Sequence, residues 1–345
     1  MTNSVVNPTL IPDWDANVQS HPDYSFFHSQ AWAKVLSETY GFRPVYHLNE
    51  YDENSIDLFP LMEVDTWLTG KRGVGLPFTD HCQPLYSDQA DAAFMFEKLK
   101  EYGRGRAWKY LEIKGGQPPV AGARPALRFY NHIVQLTKGV DELQAGMSSA
   151  ARRAVRKAEK SGVTVEISHS PEALQTFYDL FCLTRKRHGL PPQPFALFES
   201  IQRHVMDKGQ GLVSLARTQK GQVVAGGVFF HLDRRVVFKF GGSNRIYQSM
   251  RGNNLVLWEA MKWYAERGFE RLDFGKTSLT HEGLRHFKMG FGTEEHIIHY
   301  YQYDLKRDHF RSYRDLPVPW VTRAFQLLPL PFLRMVGKVC YRHMA

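Results

Sequence analysis

The spacing of hydrophobic positions changes along this chain between about 3.6 and about 2 residues, which predicts alternating helices and strands. In the C-terminal half the predicted elements are helices 171–187 and 195–208, strands 211–217, 222–231 and 235–240, helix 255–267, and strands 270–274 and 296–305. Because the turns at 218–221 and 232–235 are short, the three consecutive strands are predicted to form an antiparallel meander.

The N-terminal half shows a similar alternation. The predicted elements are helices 29–40 and 91–102, strands 43–48, 56–64, 108–113 and 127–136, and a short strand that leads into Leu76. Interleaved helices and strands predict a mixed sheet with helices packed on it. The fold class predicted for the whole chain is therefore α/β, of the mixed α+β kind.

Polar residues follow the predicted strand 270–274. It ends in Asp273-Phe274-Gly275, a polar loop covers 275–278, and a second loop at 283–292 contains Phe287 and Lys288. This order predicts a carboxylate, Asp273, and an ammonium group, Lys288, near one edge of a sheet. Active sites of α/β proteins commonly lie at such an edge.

Length and composition set the limits of the interpretation. The chain has 345 residues, of which 43% are hydrophobic, enough for two domains with cores of their own. A net charge of +9 favours anionic partners such as phosphorylated sugars, RNA or acidic lipid. Three widely spaced cysteines favour a reducing compartment, and residues 1–15 do not resemble a signal peptide.

The clearest charge feature is a predicted helix between Ser148 and Gly162. At ~100° per residue its cations lie within an arc of about 140°, opposite small apolar residues. The cations are Arg152, Arg153, Arg156, Lys157 and Lys160. Since no acid intervenes on that arc, two interpretations have about equal weight: a face that binds anions and a solvated helix surface.

The C-terminal residues 318–345 are apolar and basic, and Pro329 and Pro331 interrupt them. Arg334, Lys338 and Arg342 recur every four residues beside large hydrophobic residues. Such a helix can lie on an anionic membrane surface, or it can close the fold by packing on the protein.

Several familiar motifs are incomplete. Gly275-Lys276-Thr277 is not a phosphate-binding P-loop, because Glu270 occupies the position of the earlier glycine. The histidines lack the spacing of metal ligands, so no metal site is predicted.

Taken in order, several short segments resemble those of the Fem-type aminoacyl and peptidyl transferases and of the GNAT-like, FemAB-related proteins. The resemblance covers roughly residues 22–304, and the order of the segments carries it. The segments are 26–32, 76–80, 156–163, 187–189, 240–244, 258–259 with Gly268, 273–275 and 287–291. The predicted substrate-binding residues beside the basic helix are Arg187, Ser243, Asn244, Arg251 and Phe287.

The resemblance implies tandem GNAT-like domains, each a mixed, largely antiparallel sheet flanked by helices. The predicted domains are 1–140, completed by 312–345, and 141–311, which carries the site. It also implies transfer of an amino acid from aminoacyl-tRNA to a peptidoglycan precursor, or acylation of a cell-surface polysaccharide precursor. The lysine of the family's Phe-Lys motif is implicated in catalysis and matches Lys288.

The chemistry of the candidate residues is consistent with acyl transfer. An amine that attacks an ester or thioester places negative charge on oxygen, which an ammonium or N–H donor stabilises. We predict that Lys288 stabilises this oxyanion or binds a phosphate, unless it is a surface lysine on a loop. Asp273 is predicted to orient Lys288 or accept a proton from the amine, unless it caps a turn. The cations predicted to hold phosphates of tRNA or of a nucleotide- or lipid-linked sugar are Arg152, Arg153, Arg156 and Lys157.

Two departures from the family pattern affect the choice of substrates. Gln193 stands where some members carry a basic residue before a proline, which disfavours a nucleotide-linked peptide as acceptor. The segment Gln248 to Asn253 is an imperfect form of the coenzyme A signature of ordinary GNAT enzymes. An acyl-CoA donor is therefore less favoured than aminoacyl-tRNA.

The sequence predicts a cytoplasmic acyltransferase, without a bound cofactor, that forms an amide or ester on a peptidoglycan or exopolysaccharide precursor. Its predicted donor is aminoacyl-tRNA or acyl-CoA, its acceptor is nucleotide- or lipid-linked, and DNA is not a predicted partner. A peripheral position at the inner face of the cytoplasmic membrane is left open. The alternatives are an acyl-CoA-dependent N-acetyltransferase and a non-catalytic GNAT-like module that binds anionic glycan or lipid.

Overall fold

The computed structural model describes residues 2–52, 55–86, 89–312 and 319–345. The chain forms two compact units. The first comprises Met1–Tyr130, Ile297–Leu316 and Tyr341–Ala345, and the second comprises Asn131–His296 and Pro317–Cys340. These bounds differ from the predicted 1–140 and 141–311. Of the segment 312–345 that was assigned to the first domain, 319–340 lie in the second unit, and 313–318 lie outside the described residues.

The first unit contains two sheets and the helices that cover them. Its helices are α1 (Trp14–Gln19), α2 (Gln30–Tyr40) and α3 (Gln89–Gly105). Its strands up to residue 114 are β1 (Thr2–Val6), β2 (Arg43–Pro44), β3 (Tyr46–Asp52), β4 (Ser55–Phe59), β5 (Met62–Thr66), β6 (Gly70–Val74) and β7 (Tyr110–Lys114). The single strand predicted for 56–64 is two strands in different sheets, because Pro60 interrupts the hydrogen-bonding pattern between β4 and β5.

Strand β8 (Leu127–Gln135) leads into the second unit. The helices of this unit are α4 (Val140–Gly146), α5 (Ser149–Lys160), α6 (Pro171–Arg187), α7 (Phe195–Ile201), α8 (Gly252–Ala265), α9 (Glu282–Met289), α10 (Pro319–Leu327) and α11 (Leu330–Cys340). Its strands are β9 (Thr164–Ser168), β10 (Gly211–Arg217), β11 (Val223–Leu232), β12 (Arg235–Ser243) and β13 (Arg271–Ser278), in the sheet order β8-β13-β12-β11-β10-β9.

Helices cover both faces of this second sheet. Phe177 of α6 lies against Gly226 of β11, whereas Val256 of α8 lies against the next residue, Gly227. Successive strand residues point to opposite faces, so α6 and α8 flank the sheet. The meander β10-β11-β12 is antiparallel, as predicted.

The chain returns to the first unit through β14 (Glu294–Asp304), which pairs with β7 and with β15 (His309–Phe310). Each unit thus repeats one arrangement, an antiparallel strand pair, a helix, and a strand parallel to the one before the helix. In the first unit these elements are β5, β6, α3 and β7, and in the second they are β11, β12, α8 and β13. The prediction of mixed, largely antiparallel sheets flanked by helices is confirmed.

In the first unit the two parallel strands of this arrangement stay joined beyond their paired residues. The amide of Gly75 donates to the carbonyl of Glu112 at 2.7 Å. The buried ammonium of Lys114 donates to the carbonyl of Leu76 at 3.2 Å. A main-chain bond and a side-chain bond therefore hold the carboxyl ends of β6 and β7 together.

Two predicted loops are regular structure. The polar loop 275–278 is the end of β13, because Gly275 and Thr277 alternate as buried positions with more exposed neighbours. The Phe-Lys loop is helix α9, which His281 caps by accepting from the Leu284 amide at 3.1 Å. Glu282 in its first turn and Lys288 in its last complement the helix dipole, so glycines nearby did not prevent a helix.

A buried histidine gives a test of the first unit. His28 Nδ1 accepts from the Ser25 amide, so Nε2 carries the proton and donates to the Gln83 carbonyl at 2.8 Å. Burial lowers the pKa of His28 from 6.5 to about 4, and the bonds to Gln83 and Ser25 offset this only in part. Because the unfolded ring binds a proton more readily, the free energy of unfolding should fall as the pH drops below about 6.5.

We expect the variant His28→Asn to be less stable at neutral pH but to lose less stability between about pH 6.5 and 4, by up to one proton taken up on unfolding. Urea unfolding of both proteins at several pH values measures this slope. Equal slopes would contradict the assignment of His28 as a neutral buried ring.

Candidate active site

The sheet of the second unit opens where two parallel strands part. β12 and β13 pair over three residues each, ending at Val237 and Asp273. β12 nevertheless runs on to Ser243 and β13 to Ser278. Beyond the paired residues, the two strands turn main-chain donors and acceptors toward the gap between them. Such openings at the carboxyl ends of parallel strands are usual ligand sites.

A β-bulge lies in β12 beside this opening. The register against β11 skips Lys239, which is the extra residue between Phe238 and Phe240. Phe238 packs against Phe274 on one face of the sheet, whereas Phe240 packs against Phe181 on the other. The bulge therefore reverses the alternation of side chains at this point and redirects backbone groups, as bulges beside active sites do.

Asp273 occupies the last paired position of β13. Its Oδ1 accepts from the Gly275 amide at 2.7 Å and its Oδ2 accepts from Asn131 Nδ2 at 3.1 Å. Gly275 has a φ of 71°, a conformation that favours glycine. The half-buried carboxylate thus closes the bend in β13, which is the alternative predicted for this residue. Its role in catalysis stays a prediction.

Lys288 lies in the last turn of α9 and is 4% exposed. Its Nζ donates to the carbonyl of Gly275 at 2.7 Å and to that of Lys276 at 3.1 Å. The interpretation as a surface lysine on a loop is wrong. The ammonium group instead ties α9 to β13, next to the bend that Asp273 closes.

A buried polar cluster near Lys288 was missed by the sequence analysis. The side chain of His132 is 0% exposed, and its Nε2 lies 3.0 Å from Glu295 Oε2. Arg285 donates to both carboxylate oxygens of Glu295, at 2.7 and 2.8 Å. Burial lowers the pKa of His132, and the positive charge of Lys288 lowers it further. The available signal was the adjacent polar pair Asn131-His132 inside an otherwise apolar strand.

The basic helix has the two sides that its sequence predicts. Ala151, Val155 and Ala158 are buried, and Ser148 caps the helix by accepting from the Ala151 amide at 3.1 Å. The exposed cations of the opposite side are Arg153, Arg156, Lys157 and Lys160. A groove of about 430 Å³ runs between this helix and the starts of α8 and the end of α9. It brings together four predicted site residues, Arg153, Lys157, Arg251 and Phe287.

Arg152 differs from the other cations of α5. Its Nη1 donates to the carbonyls of Gln144 and Ala145, at 3.3 and 2.9 Å, and so satisfies the last carbonyls of α4. A second groove, of about 530 Å³, lies along the same surface and is lined by Arg152, Arg153 and Arg156 among others. The cationic surface therefore extends to both sides of α5.

The remaining predicted residues lie at the end of β12. Both terminal nitrogens of Arg187 are 3.4 Å from Ser243 Oγ, so the structure brings these two residues together. Asn244 accepts from the Ile246 amide at 3.1 Å and caps the 3-10 helix Arg245–Met250. This bond gives Asn244 a structural role, and its role in substrate binding stays a prediction.

Comparison with known proteins agrees with this geometry. Residues 146–296 match the family described as acetyltransferase (GNAT) domain. No curated protein sequence matches the chain.

Three solved structures are similar over most of the chain. FemX is 17% identical with a TM-score of 0.67, covering 86% of this chain and 96% of FemX. The C-terminal domain of a putative lysylphosphatidylglycerol synthetase from Agrobacterium fabrum is 16% identical with a TM-score of 0.53, covering 83% and 92%. A tandem GNAT protein from the clavulanic acid biosynthesis pathway is 8% identical with a TM-score of 0.55, covering 88% and 99%.

At these identities the structural matches establish the fold. The tandem GNAT prediction and the FemAB-like resemblance are both confirmed at that level. Residues 146–296 form a GNAT domain, and the chain as a whole is a FemAB-like protein with the FemX fold.

Proposed function

We propose that this protein is an aminoacyltransferase, which moves an aminoacyl group from aminoacyl-tRNA to an amine of a cell-envelope glycan precursor. The observation that carries the proposal is the parting of β12 and β13 beside a bulge, within a GNAT domain. The FemX fold supports it, as does the likeness to a domain of a putative lysylphosphatidylglycerol synthetase. The acceptor we favour is a lipid-linked peptidoglycan or exopolysaccharide intermediate in the cytoplasm.

The reaction forms a C–N bond and breaks the ester C–O bond of the donor. As the amine attacks, negative charge develops on the carbonyl oxygen, and main-chain N–H groups at the bulge are suited to stabilise it. The amine must lose a proton, and the Asp273 carboxylate is the group at the opening that can accept it. The proton then leaves with the ribose oxygen of the tRNA.

The cationic surface favours tRNA as the donor. A single pyrophosphate needs a few donors in one place, whereas exposed cations run along both sides of α5. In addition, the loop before α8 uses its own amides internally. Those of Ile246, Tyr247 and Arg251 donate to Asn244 Oδ1, Asn244 O and Gln248 O. They do not present the open cradle that a coenzyme A pyrophosphate requires.

Lys288 acts, in this proposal, by positioning the groove. Its ammonium fixes α9, whose Phe287 lines the groove beside Lys157 and Arg251. Direct contact of Lys288 with the oxyanion remains the alternative. A positioning role predicts loss of both stability and donor affinity, whereas a direct role predicts loss of turnover at unchanged affinity.

A second candidate is an acyl-CoA-dependent N-acyltransferase, favoured by the family match and by Arg251 at the start of α8. The helix N-terminus and this cation are suited to a phosphate. The remaining alternative, a module that binds anionic glycan or lipid without catalysis, is separated from both by turnover.

Replacing Lys288 by Met should lower the free energy of unfolding by about 2 kcal/mol, because two carbonyls lose their donor. It should also raise the pKa of His132, since the nearby positive charge that lowers it is removed. Urea unfolding and NMR titration measure the two effects. The exposed Lys160→Met is the matched control, expected to change stability by less than about 0.5 kcal/mol.

Removing the groove cations should weaken donor binding. We expect Arg153→Gln with Lys157→Gln to lower the affinity for aminoacyl-tRNA by about tenfold or more, and to reduce its dependence on salt by one to two ions, roughly one per phosphate contact. The control is Lys208→Gln with Lys220→Gln, exposed cations outside α5. Tight binding of acyl-CoA that salt does not affect would instead support the second candidate.

Asp273→Asn should reduce turnover by about 10²-fold or more if the carboxylate accepts the proton of the amine. Transfer of a labelled amino acid from aminoacyl-tRNA to lipid-linked and nucleotide-linked precursors measures this. If the unmodified protein bound these precursors but transferred neither aminoacyl nor acyl groups, the catalytic proposal would be wrong and the binding module correct.

A further inference from the structure

Helices α10 and α11 pack on the second unit through one side. Leu333 is fully buried, and Gly337 lies so close to the carbonyl of Pro192 that a Cβ there would overlap it. Arg334 Nη2 lies 2.7 Å from Asp179 Oδ1. The C-terminal segment therefore does pack on the protein, which is one of the two alternatives that its sequence left open.

The opposite side of α11 carries large hydrophobic residues that remain in contact with solvent. Phe332, Met335 and Val339 are 55%, 56% and 60% exposed. Their spacing of three and four residues places them on one helix face. Leu327, at the end of α10, is 84% exposed. We call these four side chains the outer face.

The charges around the outer face all have one sign. From Leu316 to Ala345 the sequence contains Arg323, Arg334, Lys338 and Arg342, and no Asp or Glu. Arg334 is paired with Asp179, whereas Arg323 and Lys338 are exposed on α10 and α11. Lys338 directly precedes Val339, so its stem can follow the apolar ridge while its ammonium reaches outward.

We propose that the outer face is a docking surface for an anionic phospholipid bilayer, with its four hydrophobic side chains in the interfacial region and Arg323 and Lys338 against lipid phosphates. An apolar helix face flanked by cations, with acids absent, has the chemistry of interfacial helices. A surface for a second protein has no comparable need for charges of one sign. Within the described ranges no helix is long and apolar enough to cross a bilayer, so this contact would be peripheral.

This inference goes beyond the proposed function, because it concerns where the protein binds and not which group it transfers. Its test uses no substrate, so failure of one proposal leaves the other standing. A lipid-linked acceptor would be presented at the same surface that the outer face binds.

The test is co-sedimentation of the full chain with phosphatidylcholine vesicles, prepared with and without phosphatidylglycerol, over a series of salt concentrations. We expect binding to the anionic vesicles that weakens as salt rises. Replacing Phe332, Met335 and Val339 together by Ser should weaken it by about tenfold or more. Arg323→Gln with Lys338→Gln should weaken binding by roughly fivefold for each charge removed.

The matched control is Leu10→Ser with Leu68→Ser, exposed hydrophobic residues of the first unit that are 78% and 60% exposed. It should leave vesicle binding unchanged. Since all substituted side chains are exposed, the variants are expected to fold, and thermal unfolding checks this. Absence of binding to anionic vesicles would overturn the proposal. So would concentration-dependent self-association that the triple Ser variant abolishes, because the outer face would then be an interface between copies.

Discussion

Two neighbouring parallel strands can bond to each other or admit a substrate between them, and the second unit depends on this choice. β12 and β13 pair over only a short stretch before they diverge. Unpaired main-chain groups would normally make such a gap unfavourable. Here several local features hold its two sides in place. The bulge at Lys239 shapes β12, the bond from Gly275 to Asp273 shapes β13, and Lys288 satisfies two carbonyls of β13.

The cationic helix illustrates how one run of like charges can serve two purposes. Arg152 donates to carbonyls of α4 and belongs to the structure, whereas Arg153 and Lys157 line the groove. The small residues Ala151 and Ala158 on the buried side allow the helix to lie close to its neighbours, so its cations come near Arg251. Repulsion between these charges is tolerable on a solvated surface, and a polyanion bound there would relieve it.

Elements specified by their own residues could be predicted from the sequence. The bounds of α6 and β10 agree with the prediction, and α5 lies between the predicted limits, because capping residues and a clear period mark them. The end of β13 could not be predicted, since its polar residues read as a loop until neighbouring strands are known. The cluster of His132, Arg285 and Glu295 was invisible for the same reason, as its members are distant in sequence.

The first unit repeats the strand, helix, strand arrangement, but its parallel pair is stitched shut by Gly75 and Lys114. A duplicated architecture therefore does not mean duplicated chemistry. One half has kept an aperture and the other has become a solid buttress. The stoichiometry of the protein follows from this asymmetry: a tight mimic of the reaction intermediate should saturate at a single equivalent per polypeptide.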